Sequence, residues 1–399
     1  MFLSISERCY TVFMYIAILG RQPALGTAEL ESLYGAEALT PLPPFACLIN
    51  SEQIDFDRLG GTQKLAKVLT TLPTNDWHSI TKYISGALPG YIQNMPEGKV
   101  KFGLSTYGIN ISPGKINATS LQFKKIMKSG KRGVRVVPNK ENFLSTAQVL
   151  HNNLTSNMGL ELLIIKSGKK TYLAQTTNIQ DINAYTHRDQ NRPMRDARVG
   201  MLPPKLAQII INLVNPALGS TVLDPFCGTG VIIQESLLMG FKAMGSDLDE
   251  RMVEYSNKNI AWLNQKHRFD DALLSIEQGD ATTYDWNNIP DTIAGETYLG
   301  RPLSSEPDHA TLSKIMNDCD TIHTKFLKNV ANQTQSGFRM CIAVPAWRTR
   351  QGFKHIKTLD SLEKLGYNRL KFVHAEEKDL IYHRKGQLVG RELVILIRK

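Results

Sequence analysis

Three aspartates stand at the ends of successive strand-like segments in the second half of the chain. Asp224 ends the apolar segment 221–224 and precedes a loop, PFCGTG, that leads into a helical pattern. Asp247 and Asp280 end the next two such segments. In an open parallel sheet, ligands bind outside the carboxyl ends of the strands. We therefore expect the three carboxylates to line one binding site; the alternative is that they only cap the following helices.

The loop after Asp224 indicates the kind of ligand. Gly228 and Gly230 allow the backbone to approach a ligand closely, but the pyrophosphate pattern GxGxxG is absent. An acid at this position does not suit a phosphate, whereas it suits a cation. S-adenosylmethionine (SAM) carries a sulfonium, an ammonium and no phosphate. In this interpretation Asp247 accepts the ribose hydroxyls and Asp280 accepts the adenine amine.

The cysteines and the apolar segments exclude several classes of protein. The five cysteines form no CxxC pair and no His/Cys cluster, which predicts no metal site, no disulfide framework and a reducing, cytoplasmic location. Cys227 is expected to be a packing residue rather than a nucleophile. No segment approaches the ~20 apolar residues that span a bilayer, so we expect no membrane span.

The positive charge is concentrated in one block. The chain carries a net charge of +10, and residues 101–200 hold 16 basic and 5 acidic side chains, whereas residues 201–300 hold 6 and 13. A local basic block is typical of nucleic-acid binding, although it can also be a solvated surface. The candidate RNA-binding residues are Lys124, Lys125, Lys128, Lys131, Arg132, Arg135, Lys140, Arg188, Arg192 and Arg195. For the last three, salt bridges between domains are an equal alternative.

The order of elements predicts the fold. From residue 200 onward, strand-like and helical patterns alternate, which favours a doubly wound, Rossmann-like α/β domain with a parallel sheet. A predicted helix at 359–365 is followed by two final strands, 368–374 and 393–398, which we expect to be antiparallel. Two smaller α/β units precede it, at residues 14–72 and 73–185. The polar segment 186–199 contains a proline and is typical of a linker.

Several motifs resemble those of one family, the THUMP-containing tRNA guanosine-N2 methyltransferases. They are DPFCGTG (224–230), GSDLD (245–249), GDA (279–281), GMLPPKLAQIIINLV (200–214) and GQLVGRELVILIRK (386–399). The resemblance implies a ferredoxin-like domain (14–72), a THUMP RNA-binding domain (73–185), a linker (186–199) and a class I SAM-dependent methyltransferase domain (200–399). The cofactor-binding residues that it implies are Met201, Leu202, Asp224, Cys227, Gly228, Gly230, Asp247, Leu248, Asp280 and Ala281.

The sequence departs from this family at one motif. The family's fourth strand ends in Asp-Pro-Pro-Tyr, whose acid holds the target amine and whose Tyr stacks on the base. Here Glu296 takes the acid position, Leu299 takes the Tyr position, and Tyr298 is shifted by one residue. A carboxylate that accepts an amine N–H bond raises the electron density on that nitrogen and aims its lone pair. Glu296 and Tyr298 are therefore the candidate catalytic residues, with Tyr298 as the stacking platform.

The expected function is methyl transfer from SAM to the exocyclic N2 amine of a tRNA guanosine, at position ten by the resemblance. One alternative is an adenine-N6 amino-methyltransferase that acts on RNA or DNA. Another is a non-catalytic RNA-binding protein with a degenerate target-base motif. Some relatives act with a small zinc-containing activator protein, and the resemblance leaves such a partner open.

Overall fold

The computed structural model describes residues 14–128, 132–196, 201–269, 272–286, 290–303 and 305–399. It divides the chain into two compact units. Unit 1 comprises the residues up to Pro23, then Glu37–Asp57 and Thr62–Ile182. Unit 2 comprises Ala24–Ala36, Arg58–Gly61 and Asn183–Lys399. Strands and helices are numbered below in chain order through both units.

Unit 1 is built on one eight-stranded sheet. Its strands are β1 (Met14–Leu19), β2 (Leu39–Leu42), β3 (Ala46–Asn50), β4 (Thr62–Leu72), β5 (Val100–Tyr107), β6 (Val134–Val136), β7 (Gly159–Ser167) and β8 (Lys170–Ile179). They lie in the order β2-β3-β1-β4-β8-β7-β5-β6. The helices are α2 (Trp77–Gln93), α3 (Pro113–Lys128) and α4 (Thr146–His151). The expected boundary between residues 72 and 73 does not separate two sheets, because β4 pairs with both β1 and β8.

A buried ion pair and its hydrogen bonds join four strands and a loop of unit 1. Lys64 Nζ lies 2.6 Å from Glu161 Oε1 and 2.7 Å from the carbonyl oxygen of Leu144. The same carboxylate accepts hydrogen bonds from the hydroxyls of Ser105 and Thr176. Each partner thus compensates the desolvation of the other, as a buried charge requires.

Unit 2 contains the second sheet. Its strands are β9 (Thr221–Asp224), β10 (Lys242–Asp247), β11 (Leu273–Gln278), β12 (Thr292–Glu296), β13 (Arg339–Thr349), β14 (Gly352–Lys354), β15 (Tyr367–Arg369), β16 (Ile381–Tyr382) and β17 (Val389–Arg398). The order is β11-β10-β9-β12-β13-β17-β15. Strands β9 to β13 are mutually parallel, and β17 is antiparallel to β13. The helices are α1 (Pro23–Tyr34), α5 (Ile182–Gln190), α6 (Pro204–Val214), α7 (Val231–Leu238), α8 (Glu250–His267) and α9 (His309–Gln333). This arrangement confirms the predicted Rossmann-like α/β fold.

Helix α1 packs within unit 2, although it comes from the N-terminal part of the chain. Its Leu25 and Ala28 belong to the same apolar cluster as the buried face of α6. Its buried Glu29 accepts hydrogen bonds from the backbone N–H groups of Gly60 and Gly61 and from the Asn212 side chain. Burial raises the pKa of Glu29 to about 7, against the effect of these donors. The predicted 14–72 domain is therefore not continuous in the structure.

Two further expectations differ from the structure. The predicted linker 186–199 is helical in its first part, because α5 extends to Gln190. The predicted helix at 359–365 is only a short 3-10 helix, Lys357–Ser361, followed by turns. None of the helices in the described part of the chain is long and apolar enough to cross a membrane.

The ion pair of unit 1 gives a testable stability prediction. We expect Lys64→Met to lower the free energy of unfolding of unit 1 by about 3–5 kcal/mol, because it leaves the Glu161 carboxylate buried without its cation. Hydrogen exchange of the β5 and β7 amides measures this change. Lys170→Met, at an exposed position on β8, is the control and should leave the exchange unchanged. Equal exchange in both variants would contradict the assigned role of the pair.

Candidate active site

A tight glycine loop follows β9 and opens α7. The Cys227 N–H donates to the Ser246 carbonyl over 2.9 Å, and the Gly230 N–H donates to the Cys227 carbonyl over 2.7 Å. Gly228 and Gly230 have φ angles of +53° and +80°, in the left-handed region that favours glycine. A Cβ atom on Gly230 would lie 2.9 Å from Ser256 Oγ on α8. Backbone conformation therefore favours glycine at both positions, and packing also requires it at Gly230.

Asp247, at the end of β10, is held by this loop. Its Oδ2 accepts from the Gly228 N–H over 2.8 Å, and its Oδ1 accepts from the Asp249 N–H over 3.0 Å. Burial raises the pKa of Asp247, and these two backbone donors oppose that effect. Each carboxylate oxygen still has acceptor capacity. The geometry suits a carboxylate that receives a pair of hydroxyl groups from a ligand.

Asp224, at the end of β9, is 3% exposed. Its Oδ1 accepts from the Phe226 N–H over 3.2 Å. Burial raises the pKa of Asp224 well above its usual range, and the nearby charges of Asp247 and Glu296 add to the effect. A carboxylate in such surroundings is stabilised in its ionised form by a neighbouring cation. This edge of the sheet is therefore suited to a positively charged ligand.

The third strand end is more open. Asp280 is exposed, and its Oδ1 accepts from the Thr282 N–H over 2.9 Å. The next residue, Ala281, is buried, and its carbonyl accepts from the Asn329 side chain on α9. Leu248, which follows Asp247, is 68% exposed although it is apolar. An exposed leucine beside a strand-end acid can provide an apolar surface for a flat ring.

Two other residues expected at the cofactor, Leu202 and Cys227, have packing roles in the structure. Leu202 is buried in the same cluster as Leu206 of α6, and Met201 before it is half-buried. Cys227 is buried against α7 and α8, with its Sγ 3.7 Å from Ser256 Oγ. Burial, with Asp224 and Asp247 nearby, raises the pKa of the Cys227 thiol well above its usual range. A thiol that stays protonated is a poor nucleophile, which agrees with the packing role expected for Cys227.

Glu296, at the end of β12, forms an ion pair that sequence reasoning missed. Its Oε2 accepts from Nε of Arg391, which belongs to β17. Both side chains are largely buried, with exposures of 14% for Glu296 and 7% for Arg391. The arginine lies within the GQLVGRELVILIRK motif, but 95 residues separate the two partners. Only the strand order, which places β13 between β12 and β17, brings them together.

The segment after Glu296 is fixed without the two prolines. The Thr297 side chain contacts His323 Nε2 at 2.6 Å and donates to the Ala343 carbonyl over 3.0 Å. Burial lowers the pKa of His323 to about 4, so this imidazole is neutral near pH 7. Gly300 has a φ of +88° and lies against Ile315. Tyr298, between these anchors, is 40% exposed and has a pKa raised by burial. It is positioned as an accessible aromatic face.

The basic residues of unit 1 that are expected to bind RNA differ in exposure. Lys124 is half-buried, and four others are exposed: Lys125, Lys128, Arg135 and Lys140. Lys131 lies outside the described residues. Arg132 instead donates to the Ile92, Met95 and Pro96 carbonyls at the end of α2. That contact satisfies helix-end acceptors, and this arginine has a structural role.

The three arginines of the predicted linker differ from one another. Arg188 forms a two-point ion pair with the buried Glu235 of α7, at 2.7 and 3.2 Å. Arg192 is 2% exposed, and burial lowers its pKa. Arg195 is exposed, and its Nη1 lies 3.4 Å from the Gln190 carbonyl. Arg188 and Arg192 are thus turned into unit 2 and are not free to contact a phosphate, which corrects their expected role. The ion pair of Arg188 lies within unit 2.

Comparisons with known proteins agree with this geometry. A family model described as an RMKL-like methyltransferase domain matches residues 192–355. This part of the chain is therefore similar to a methyltransferase domain. A second model, described as a DNA methylase, matches residues 123–258. The match to residues 192–355 agrees with the methyltransferase domain expected from the strand-end motifs.

Two archaeal relatives share part of this sequence. A tRNA (guanine(10)-N2)-dimethyltransferase of Methanothermobacter thermautotrophicus is 30% identical over 146 residues, which are 37% of this chain and 39% of the relative. The Pyrococcus abyssi protein of the same description is 28% identical over 166 residues, or 42% and 43% of the two chains. The chain therefore spans about two fifths of the length of these curated relatives.

Solved structures share the fold over nearly the whole chain. TrmN from Thermus thermophilus superposes with a TM-score of 0.52 at 15% identity, covering 97% of this chain and 100% of that one. A protein of Clostridium difficile described as a possible methylase gives 0.52 at 11% identity, covering 97% of each chain. The fold is thus that of class I methyltransferases.

The close approach of Asp224 to β12 gives a prediction for the methyltransferase domain. A Cβ atom on Gly295 would lie 2.6 Å from Asp224 Oδ1. We expect Gly295→Ala to displace this carboxylate and to lower the unfolding free energy of unit 2 by about 1–3 kcal/mol. Thermal unfolding measures the change. Gly86→Ala, where a Cβ atom meets nothing within 4 Å, is the control. An unchanged midpoint for Gly295→Ala would show that the carboxylate is not confined.

Proposed function

We propose that the protein transfers a methyl group from SAM to the exocyclic N2 amine of a guanosine in tRNA. The observation that carries the proposal is the row of carboxylates at the carboxyl edge of the sheet. Asp224 is buried, which raises its pKa, and the Asp247 carboxylate can accept further hydrogen bonds. Glu296 ends β12, which is the neighbour of β9 in the sheet. The archaeal relatives described as tRNA (guanine(10)-N2)-dimethyltransferases support the choice of acceptor.

SAM fits the donor side of this site. Its positive charge would compensate Asp224, whose buried carboxyl already accepts one backbone N–H bond. Asp247 would accept the ribose hydroxyls, and the exposed Asp280 would accept the adenine amine. When bound, SAM supplies a methyl group on a positively charged sulfur, which takes back the bonding electron pair as the methyl group leaves in line with the attacking nitrogen.

Glu296 would act on the acceptor amine. Its Oε2 is held by Arg391, so its Oε1 is the oxygen available to an amine N–H bond. Accepting that bond aims the nitrogen lone pair, and the same carboxylate can receive the proton that the amine loses after methylation. Tyr298, exposed beside it, would stack on the target base.

Unit 1 would be the THUMP-containing part of the protein and would bind the RNA. The reaction would take place in the cytoplasm. The exposed lysines at the end of α3, Lys125 and Lys128, with Arg135 and Lys140, support this assignment. Such contacts position RNA without reading its sequence, and they make binding sensitive to salt.

The donor side is tested with Asp247→Asn. We expect the Kd for SAM, measured by calorimetry, to rise by about tenfold or more, because hydrogen bonds to a charged acceptor are lost. Asp249→Asn is the matched control, since Asp249 caps α8 and is exposed; its Kd should stay at the wild-type value. Equal affinities for SAM in all three proteins would refute the ribose assignment.

The acceptor side is tested by nucleoside mass spectrometry of tRNA after incubation with labelled SAM. We expect wild type to produce N2-methylguanosine, and Glu296→Gln to slow its formation by about a hundredfold while leaving SAM affinity unchanged. N6-methyladenosine as the product would establish the adenine alternative instead. RNA binding without any methylated nucleoside would establish the non-catalytic one.

A further inference from the structure

We infer that Arg391 is a specificity-determining residue that reads the target base together with Glu296. The inference rests on the proposed function, because it concerns the acceptor side of the same site. The sequence motifs predict no role for this arginine. Its place beside Glu296 results from the order of the strands in the sheet.

Arg391 and Glu296 project from the same face of the sheet. Side chains two residues apart on a strand share a face, and Ala294 of β12 and Leu393 of β17 belong to one apolar cluster. Arg391 lies near the start of the antiparallel β17, opposite Pro345 of β13. It therefore stands at the edge where the parallel strands end, which is where the ligand binds.

The ion pair leaves hydrogen-bonding groups for a ligand. Within the described part of the chain, the Arg391 guanidinium makes one hydrogen bond, from Nε to Glu296 Oε2. Its Nη1 and Nη2 remain as donors, and Glu296 Oε1 remains as an acceptor. From Arg391 to Glu296, a ligand would meet three groups in order. The first is an Nη donor of Arg391, the second is Glu296 Oε2, which also accepts from Arg391, and the third is Glu296 Oε1, which is free to accept.

This order matches the Watson–Crick edge of guanine. That edge presents an acceptor (O6), a donor (N1–H) and a donor (the N2 amine). Arg391 would donate to O6, Glu296 Oε2 would accept from N1–H, and Oε1 would accept from the N2 amine that receives the methyl group. Adenine can satisfy only two of these groups, through its N6 amine and N1. Enzymes that act on an extruded base commonly read this edge by hydrogen bonding.

The length of Glu296 is consistent with this role. A glutamate extends one methylene further than the aspartate of the family motif, and here it meets an arginine that reaches across β13. The pair thus combines the aiming of the amine with recognition of the base in one rigid unit. A guanidinium is suited to this task because its planar group offers several donors in fixed directions.

The test compares guanine with 2-aminopurine at the methylated position of a tRNA, after that position is located by mass spectrometry. 2-Aminopurine keeps the N2 amine but lacks O6 and the N1–H donor. We expect Arg391→Met to lower kcat/KM on the guanine substrate by about tenfold or more beyond its effect on 2-aminopurine, because both substrates lose the support that Arg391 gives to Glu296 but only guanine loses the hydrogen bond to O6. The preference for guanine should therefore fall by about tenfold or more.

Arg369→Met is the matched control. Arg369 forms an ion pair with Glu392 over 2.9 Å. Glu392 follows Arg391 on β17, so its side chain lies on the opposite face of the sheet. It should keep the wild-type preference for guanine, and both variants should bind SAM with the wild-type Kd in calorimetry. If Arg391→Met lowers both rates equally, or leaves the preference unchanged, the inference is wrong while the proposed function stands. If wild type methylates no tRNA, the proposed function fails and the inference fails with it.

Discussion

A carboxylate buried at the end of a strand must be hydrogen-bonded or must meet a positive charge. In this protein Asp224 is such a group: it is 3% exposed, it receives one backbone N–H bond, and two other acids raise its pKa further. The surrounding elements conform to this constraint. The residue of β12 that lies against the Asp224 side chain is a glycine, Gly295, where a Cβ atom would lie 2.6 Å from Asp224 Oδ1. The glycine loop then turns into α7, and its backbone serves both acids: the Phe226 N–H donates to Asp224 and the Gly228 N–H donates to Asp247.

The two acids nearest to Asp224 have different partners, and this difference divides the site. Glu296 is paired with Arg391, a cation supplied by the protein itself. Asp247 is paired with backbone N–H groups that carry only partial charge. Among the described residues, the carboxyl groups at the ends of β9 and β10 therefore have only backbone donors, whereas the carboxylate at the end of β12 is neutralised by Arg391. A cationic donor and a neutral purine acceptor would each find the electrostatic environment that suits it, and they would be held on adjacent strand ends.

The sequence contained enough information to predict the parallel sheet and the position of three aspartates at its strand ends. Each of the three aspartates, Asp224, Asp247 and Asp280, ends a short apolar segment. That local pattern can be recognised without knowledge of the tertiary structure. Arg391 could not be assigned in this way, because its partner is 95 residues away and only strand order joins them. The charge count failed for Arg132 and Arg188 for a related reason. Composition shows that a basic block exists, but it does not show which guanidinium groups are used to satisfy carbonyls or Glu235.

Helix α1 determines whether the C-terminal part of unit 2 can be separated from the rest of the chain. Its Glu29 is bonded to Asn212 of α6, its Glu31 accepts from the backbone of Val373 and His374, and its Ser32 bonds to the Leu213 carbonyl and to Arg339. These contacts link the first tenth of the chain to segments near its other end. During synthesis, α1 leaves the ribosome long before any of these partners exists. A fragment that starts at Asn183 would keep every carboxylate of the site and would still leave Arg339, Asn212 and two backbone N–H groups without the acceptors that α1 provides. Unit 2 is therefore not a segment that can be cut from the chain or exchanged by recombination at a single junction.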